Sequence, residues 1–549
     1  MTAPPLDSKP IIFSGGPILT MAEPLRVEAI TILGDRILRA GSLEDCRAAA
    51  GRDREERDLS GRTLMPGFVD AHTHPLMLGQ TQTWLDVSPR VAPSIPALIA
   101  ALHEQAHQLS PGVPLRAFGF DPRVTEELRE PLAAELDVAA TDREVYIMNV
   151  SGHGGSINTF GLATHGITAD TPDPRGGRIG RHPDGRPNGL VMDAACDLLT
   201  GETGVKIGNH GPNIHLPETP DVAAHQLALA MQSFLRAGIT TVVDAQVTRR
   251  ELQTYLAAKE AERLPIRVNM LVISALLDEL LRLGLVGRLG DDELAILGIK
   301  LYADGSFGAC TAYFPEGYAS DPHNHGVLYH EPSEFLDLIR RSHAAGLKTA
   351  THAQSPTAIG MVIDAVEAAQ TERPRADMRH SIEHCGLPTD DEIGRMRRSS
   401  IVPVSQPQHH RAFGDGVART VGPDLAQGLN PLGLYVRAGI PLVLSSDAPV
   451  VLPRPLESVQ AAVDRRTVNG TVLGGPELCV DVLTALRGYT IGAAYAAHRE
   501  ELVGSLEAGK LADFAVLAAD PMSVPVEQLD AIDVVETWIG GRQIAISDS

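Results

Sequence analysis

"AILGIKLYADGSFG", Ala295 to Gly308, reads as a buried strand built on Ile296, Leu297, Ile299 and Leu301, yet it carries Lys300. Burying an ammonium without a partner is so unfavourable that the group gives up its proton or finds a counter-charge. The same plan, an apolar and β-branched run closing on polar residues, recurs outward along the chain. It is seen in "LMPGFVDAHTH", "TTVVDAQ", "IRVNMLV", "LKTATHAQ", "RHSIEHC", "IVPVSQPQ" and "IPLVLSSDAP", giving eight candidate strands with the first. Helix-period segments such as "AAHQLALAMQSFLRAG" and "SEFLDLIRRSHAAG" precede several of them. Eight strand-helix units in order imply an α/β fold, a closed TIM-like (β/α)8 barrel.

The barrel would span residues 64–502, far more than the ~250 residues such barrels usually need. The surplus falls in an insertion at 79–219, after the first strand, which holds "LRAFGF", "EVYIMNV" and the Gly/Pro-rich "TPDPRGGRIGRHPDGRPNG". An insertion at the C-terminal end of a barrel strand sits over the mouth, so a lid is expected. "EVYIMNV" offers itself as an alternative second barrel strand. The two ends, 1–63 and 503–549, carry short alternating pieces such as "ITILGDRILRAG" and "VVETWIGGRQIA". Neither has strands enough for a stable sheet, so one small β-sandwich domain built from both termini is expected.

Composition narrows the function. Forty-seven Lys and Arg against sixty-nine Asp and Glu leave a net charge of −22 without a long basic run, so nucleic acid is not an expected partner. The start of the chain lacks a secretory signal pattern and no segment has the apolar length of a membrane span, which sets the expectation of a cytoplasmic enzyme without a membrane partner. A small-molecule substrate and a homodimeric assembly complete it. Five scattered cysteines without Cys-x-x-Cys spacing indicate neither a disulfide framework nor a thiolate zinc site.

Polar residues fall at the C-terminal ends of the strands: His72 and His74 on the first, Lys300 on the fourth, His352 on the fifth, His384 on the sixth and Asp447 on the eighth. Singly, each has a commoner structural explanation, as a packing histidine, a buried ion pair or a turn residue. Five sites on five strand ends of one barrel point instead to a metal centre. A lysine in an apolar wall has a lowered pKa, and its free amine can capture carbon dioxide as a carbamate whose two oxygens bridge two cations. His72, His74 and Asp447 are expected to hold one divalent ion and His352 and His384 the other, bridged by carbamylated Lys300. Imidazole and oxygen donors without thiolate suit zinc, with manganese, iron, cobalt or nickel as alternatives.

"PGFVDAHTH", "GIKLYADGS", "THAQ", "SIEHC", "VLSSDAPV" and "GSLEAGKLADFAVL" together resemble the amidohydrolase superfamily, in particular its YtcJ-like branch, which includes N-substituted formamide deformylases. The resemblance spans nearly the whole chain and implies the ligands His72, His74, Lys300, His352, His384 and Asp447. The branch also tends to carry a Gly-His in the insertion, matched by Gly152-His153, and a Gln-Pro-x-His after the seventh strand, matched by "QPQHH". The sequence departs from it in "GHGGSIN", where bulkier residues often follow the histidine, and in the adjacent His409 and His410.

The expected reaction is hydrolysis of an amide-type C–N bond by a metal-bridging hydroxide, with Asp447 as general base and then acid. An ester, lactone or cyclic imide on the same centre is the alternative, and a degenerate barrel used for binding a third reading. His153, Gln408, His409, Trp84 and Phe307 are the candidate substrate-binding residues. Glu383, Ser445 and Ser446 are candidates to orient the ligands, Asp304 to shape the loop above Lys300, and Arg465 to face the metals or to sit in a surface ion pair.

Overall fold

The computed structural model describes residues 9–201, 204–213 and 216–546. Its centre is a set of eight parallel strands: β1 (Phe68–Thr73), β2 (Ile239–Val247), β3 (Arg267–Ile273), β4 (Leu294–Tyr302), β5 (Lys348–Ala353), β6 (Ser381–His384), β7 (Val402–Ser405) and β8 (Val443–Leu444). These are the eight stretches marked out by their apolar runs. Every residue in them is buried, as parallel strands covered on both faces must be. Val243, Ala245, Leu271, Leu297 and Ala350, from four consecutive strands, form one buried cluster.

The seam between β8 and β1 is not a regular ladder. It is closed by the Asp447 amide donating to the His72 carbonyl at 2.8 Å and the His74 amide donating to Ala448 O at 2.9 Å. Ser446 adds two bonds to the Asp70 carboxylate, 3.0 Å from its amide and 2.6 Å from its hydroxyl. The closure of the barrel and the first and last candidate ligands are therefore one structure.

Helices cover the outside. The helix α1 (Pro220–Arg236) begins where Thr219 accepts from the Val222 amide, and Pro220 occupies a first-turn position whose N–H would lack a partner anyway. Its Leu227, Ala230, Met231 and Phe234 join Ile239 and Val242 in the main core. The helices α2 (Pro332–Ala344) and α3 (Pro356–Glu372) flank β5 in the chain.

Between β1 and β2 the chain builds a separate six-stranded sheet, in the order Gly177–Arg181, Pro187–Asp193, Gly154–Ile157, Val145–Asn149, Leu115–Phe120 and Leu85–Asp86. Val145–Asn149, the core of "EVYIMNV", pairs in this sheet with Leu115–Phe120 and Gly154–Ile157 and is not a barrel strand. The termini build two further sheets. In one, Thr63–Pro66 pairs antiparallel with Phe514–Leu517, joining the two ends of the chain. Phe13, Ile30, Leu64, Phe514 and Trp538 share a single core between these sheets. Arg267, the first residue of β3, ties this region to the barrel through a two-pronged ion pair with Asp513, at 2.6 and 3.0 Å. Among the described residues no helix is long and apolar enough to cross a membrane.

Candidate metal centre

His72, His74, Lys300, His352, His384 and Asp447 are all buried, and all but Lys300 line one pocket at the C-terminal end of the barrel. Three donor–donor distances define its floor: His74 Nε2 to Asp447 Oδ1 is 3.3 Å, His72 Nε2 to Asp447 Oδ1 is 3.5 Å, and Lys300 Nζ to His72 Nε2 is 3.5 Å. A tetrahedral ion with bonds of about 2.0–2.1 Å would hold its donors about 3.4 Å apart. His72, His74 and Asp447 thus fit the donor set of a divalent ion.

A second group of three potential donors is His384, His409 and Asp447, with His409 Nε2 3.5 Å from Asp447 Oδ2. His409 Nε2 is a buried atom without a hydrogen-bond partner. His352 belongs to neither close group, although its ring lies 4.5 Å from that of His384. Its Nε2 is bonded to the Gly305 carbonyl at 3.0 Å, which leaves Nδ1 for any ligand.

The orientations of the His72 and His384 imidazoles have a cause. Glu383 Oε2 accepts from His72 Nδ1 at 2.5 Å, and Ser381 holds the other carboxylate oxygen at 2.5 Å. Gln406 Oε1 accepts from His384 Nδ1 at 2.8 Å, while the Gln406 amide donates to Ser445 Oγ at 2.8 Å. Each bond fixes a tautomer with Nε2 free for an ion. Burial first, and then Lys300 and the neighbouring imidazoles, push the pKa values of His72 and His384 well below the usual histidine range, so both rings are neutral donors. Burial likewise lowers the Lys300 amine to about 8. Two of the candidate ligands also adopt a left-handed backbone, His384 at φ 67° and Asp447 at φ 63°. Such strain persists only where the surroundings over-determine it, and it gathers at functional sites.

Other sequence candidates separate into those that reach the pocket and those that do not. His153, His409 and Phe307 line it. His153 is held by Asp193, whose Oδ1 lies 2.9 Å from His153 Nδ1 and also accepts from Tyr329 OH at 2.6 Å. Trp84 does not line it: its ring packs edge-on against Tyr146, 6.4 Å between centroids, in the core beside the inserted sheet. Gln408 does not line it either, because its amide donates to Leu452 O at 3.2 Å, outside the pocket wall. Arg465 neither faces the ligands nor sits in a surface ion pair. It is fully buried and donates to the carbonyls of Leu473, Asn430 and Leu429, the last two being wall residues. Asp304 shapes the loop, accepting from the amides of Gln354, Ser355 and Tyr313 at 2.9 to 3.1 Å.

Sequence reasoning passed over Arg123, Asp193 and Tyr302. Tyr302 and Arg123 line the pocket, and the Tyr302 ring stacks on His352 at 5.1 Å. A faint signal existed for Arg123, in the Asp-x-Arg of "FGFDPRVT" just past a strand end. Asp193 had none, since its partner His153 lies forty residues away.

An eight-stranded parallel barrel with a histidine–aspartate cluster at its C-terminal rim is the architecture of a metal-dependent barrel hydrolase. The amidohydrolase family model matches residues 55–545. The chain is 30% identical over 530 residues to the N-substituted formamide deformylase of Arthrobacter pascens, covering 94% of each protein. It is 28% identical to the putative amidohydrolase YtcJ of Bacillus subtilis, covering 97% of this chain and 98% of that one. In structure it resembles an uncharacterized metal-dependent hydrolase from Pyrococcus furiosus, with a TM-score of 0.73 and 26% identity over 94% of this chain and 100% of that one. The chain belongs to the amidohydrolase family, and it is a metal-dependent amidohydrolase.

Proposed function

We propose that this enzyme hydrolyses the carbon–nitrogen bond of a small amide, with Asp447 moving the proton. The observation that carries the reading is the convergence of His72, His74 and Asp447 as close potential ligands beneath an open pocket, with Lys300 Nζ 3.5 Å from His72 Nε2. Divalent ions there, zinc foremost and two in number, would activate a water and polarise the scissile carbonyl. His72, His74 and Asp447 would hold the first; His384, with His352 or His409, would hold the second, and Lys300 as a carbamate would join them.

Asp447 is suited to proton transfer because its two oxygens face different partners. Oδ1 lies toward His72 and His74, while Oδ2 lies toward His384 and His409 at 3.9 and 3.5 Å. It takes a proton from the attacking water and returns it to the departing nitrogen. His153, anchored through Nδ1 by Asp193, turns its remaining nitrogen to the substrate oxygen, where negative charge grows as the carbonyl carbon becomes tetrahedral. The inserted segment, which contributes Arg123, Ser151, Gly152, His153 and Pro212 to the wall, serves as the lid that excludes water from this step.

The test is amine release by metal-loaded enzyme from a panel of N-formyl, N-acetyl and longer N-acyl amines, with cyclic imides, lactones and esters alongside. The A. pascens relative's name places N-formyl compounds first in that panel. Hydrolysis of amides over esters of equal acyl group is expected. Turnover of esters or lactones alone would overturn the reading, and metal-free protein that cannot be reconstituted would return the barrel to a binding role.

A further inference from the structure

We infer that Arg123 selects the substrate, and that the substrate carries a carboxylate at the end remote from the scissile bond. The inference rests on the amide-hydrolase reading for the identity of that bond. Arg123 follows the strand Leu115–Phe120 of the inserted sheet and reaches the same pocket as His72, His74 and Asp447, with only 8% of its surface exposed.

The guanidinium is held along one edge and on one face, and the stem and backbone of the residue are held as well. Asp121 takes Nε at 2.7 Å and Nη2 at 2.8 Å. The Phe413 ring, on the helix α4 (Pro407–Val421), lies 4.5 Å beneath Cζ. Arg419, on the same helix, donates to the Arg123 carbonyl. The helix approaches so closely at Gly416 that a Cβ there would sit 3.1 Å from Arg123 Cβ. A guanidinium fixed in this way loses little freedom when it binds a ligand.

A guanidinium presents five N–H groups, and Asp121 engages the edge made by Nε and Nη2. Nη1 makes no hydrogen bond among the described residues. The edge formed by Nη1 and the second Nη2 hydrogen therefore remains, two parallel donors spaced to meet the two oxygens of a carboxylate. Asp121 already balances the formal charge, so what remains is a directional fork rather than a diffuse positive field. Around it the wall combines apolar Phe307, Phe413, Val417 and Leu429 with the hydroxyl residues Ser151 and Ser306. In such a setting a neutral group that leaves the fork half-used costs more than it would in water. Gly308 keeps the approach open: a Cβ at that position would lie 3.2 Å from Nη1.

The separation is read from α4. His409 lies 3.5 Å from Asp447, its ring is 5.7 Å from that of Phe413, and Phe413 lies under Arg123. The fork and the proton-transfer carboxylate thus lie at separate places on the wall of one pocket, with His409 and the Phe413 ring in the chain of contacts between them. A substrate that touches both has an acyl-amine bond at one end, an apolar spacer and a carboxylate at the other, as in N-acyl amino acids with hydrophobic side chains.

The experiment compares matched pairs on metal-loaded enzyme, an N-acyl amino acid against its carboxamide, so that the scissile bond is unchanged. The acid is expected to have a kcat/KM higher by about tenfold or more, the gain lying in KM. In R123M the ratio between acid and carboxamide collapses toward one, and in R123K it is partly kept. G308A, which intrudes on the free edge without touching the ion pair, reduces the same ratio and serves where R123M does not fold. Titration calorimetry with 3-phenylpropanoate, a carboxylate that lacks the scissile amide, supplies a readout independent of turnover, with binding to the wild type expected and lost in R123M. Equal handling of acid and carboxamide by the wild type, or an equal loss for both in R123M, would overturn the inference. Should neither amide be hydrolysed, the functional reading fails alone and the calorimetry still decides the role of Arg123.

Discussion

Lys300 and Lys348 are buried lysines on neighbouring strands, and burial lowers both amines to about 8. Lys348 opens β5 at the N-terminal floor of the barrel and donates to the Ala496 carbonyl at 2.7 Å. Lys300 lies near the C-terminal end of β4 and faces a second nitrogen, His72 Nε2, and the Tyr302 ring at 4.7 Å. The rest of each region follows suit. On the floor His343 and His380 bond to each other at 2.9 Å, Arg379 is paired with Asp377 and Glu500, and Arg267 with Asp513. At the rim, potential ligand atoms face one another, with His74 Nε2 and His72 Nε2 at 3.3 and 3.5 Å from Asp447 Oδ1. An equal pKa shift therefore says little about role; what separates the two ends is whether the buried groups pair donor with acceptor or set metal-ligating atoms face to face.

The sharpest way to break this contrast is to disable one end at a time. D447N should lower kcat by about 10²–10⁴, the usual weight of a positioned acid–base group, and K300A should lose most bound metal along with activity, both followed by steady-state kinetics and metal analysis. Near-normal metal content and turnover in K300A would place the two lysines in one class. E383Q, which weakens the hold on His72 Nδ1, should reduce metal affinity about 10–100-fold, measured by competition with a chelator.

The floor should answer in stability alone. K348A removes the partner of the Ala496 carbonyl and leaves a hole, so unfolding free energy should fall by about 2–3 kcal/mol with metal content and kcat unchanged. A loss of metal in K348A would dissolve the distinction.

The smallest effect concerns two carboxylates. Asp513, on the floor side, has its arginine, whereas Glu130, beside Arg123 and Asp121, accepts from the Asn149 amide at 3.0 Å and has no ion pair within 4 Å among the described residues, and burial pushes its pKa up to about 7. Between its ordinary value of about 4.5 and about 7 the folded state binds the proton more tightly than the unfolded state, so stability from this group falls as pH rises through that window. E130Q should raise the melting temperature at pH 8, corresponding to about 1–2 kcal/mol after allowing for residual solvent contact, and the gain should vanish near pH 4.5.

The legible part of this protein is the part with a local signature. Each barrel strand announces itself as an apolar run, and each candidate ligand as a polar residue where such a run should tolerate none, so His72, Lys300, His352, His384 and Asp447 stand out one strand at a time. The pocket wall has no such signature. "EVYIMNV" is as apolar as any barrel strand, and only its pairing with Leu115–Phe120 and Gly154–Ile157 assigns it to the other sheet. Trp84 and Gln408 looked suitable by type and by neighbourhood, yet Tyr146 and Leu452 O claim them. Arg123 was passed over because its surroundings, Phe413 and Gly416, come from a helix nearly three hundred residues on.

Read alone, the chain therefore settles its barrel and the identity of its buried polar groups, because solvation penalises each of them residue by residue and leaves a mark in the local pattern. Which donors face one another, which nitrogen of each imidazole is free and which side chains wall the cavity were decided only by the folded structure. Those properties depend on distances of a few ångströms between segments far apart in the chain, and a linear pattern carries no such distances.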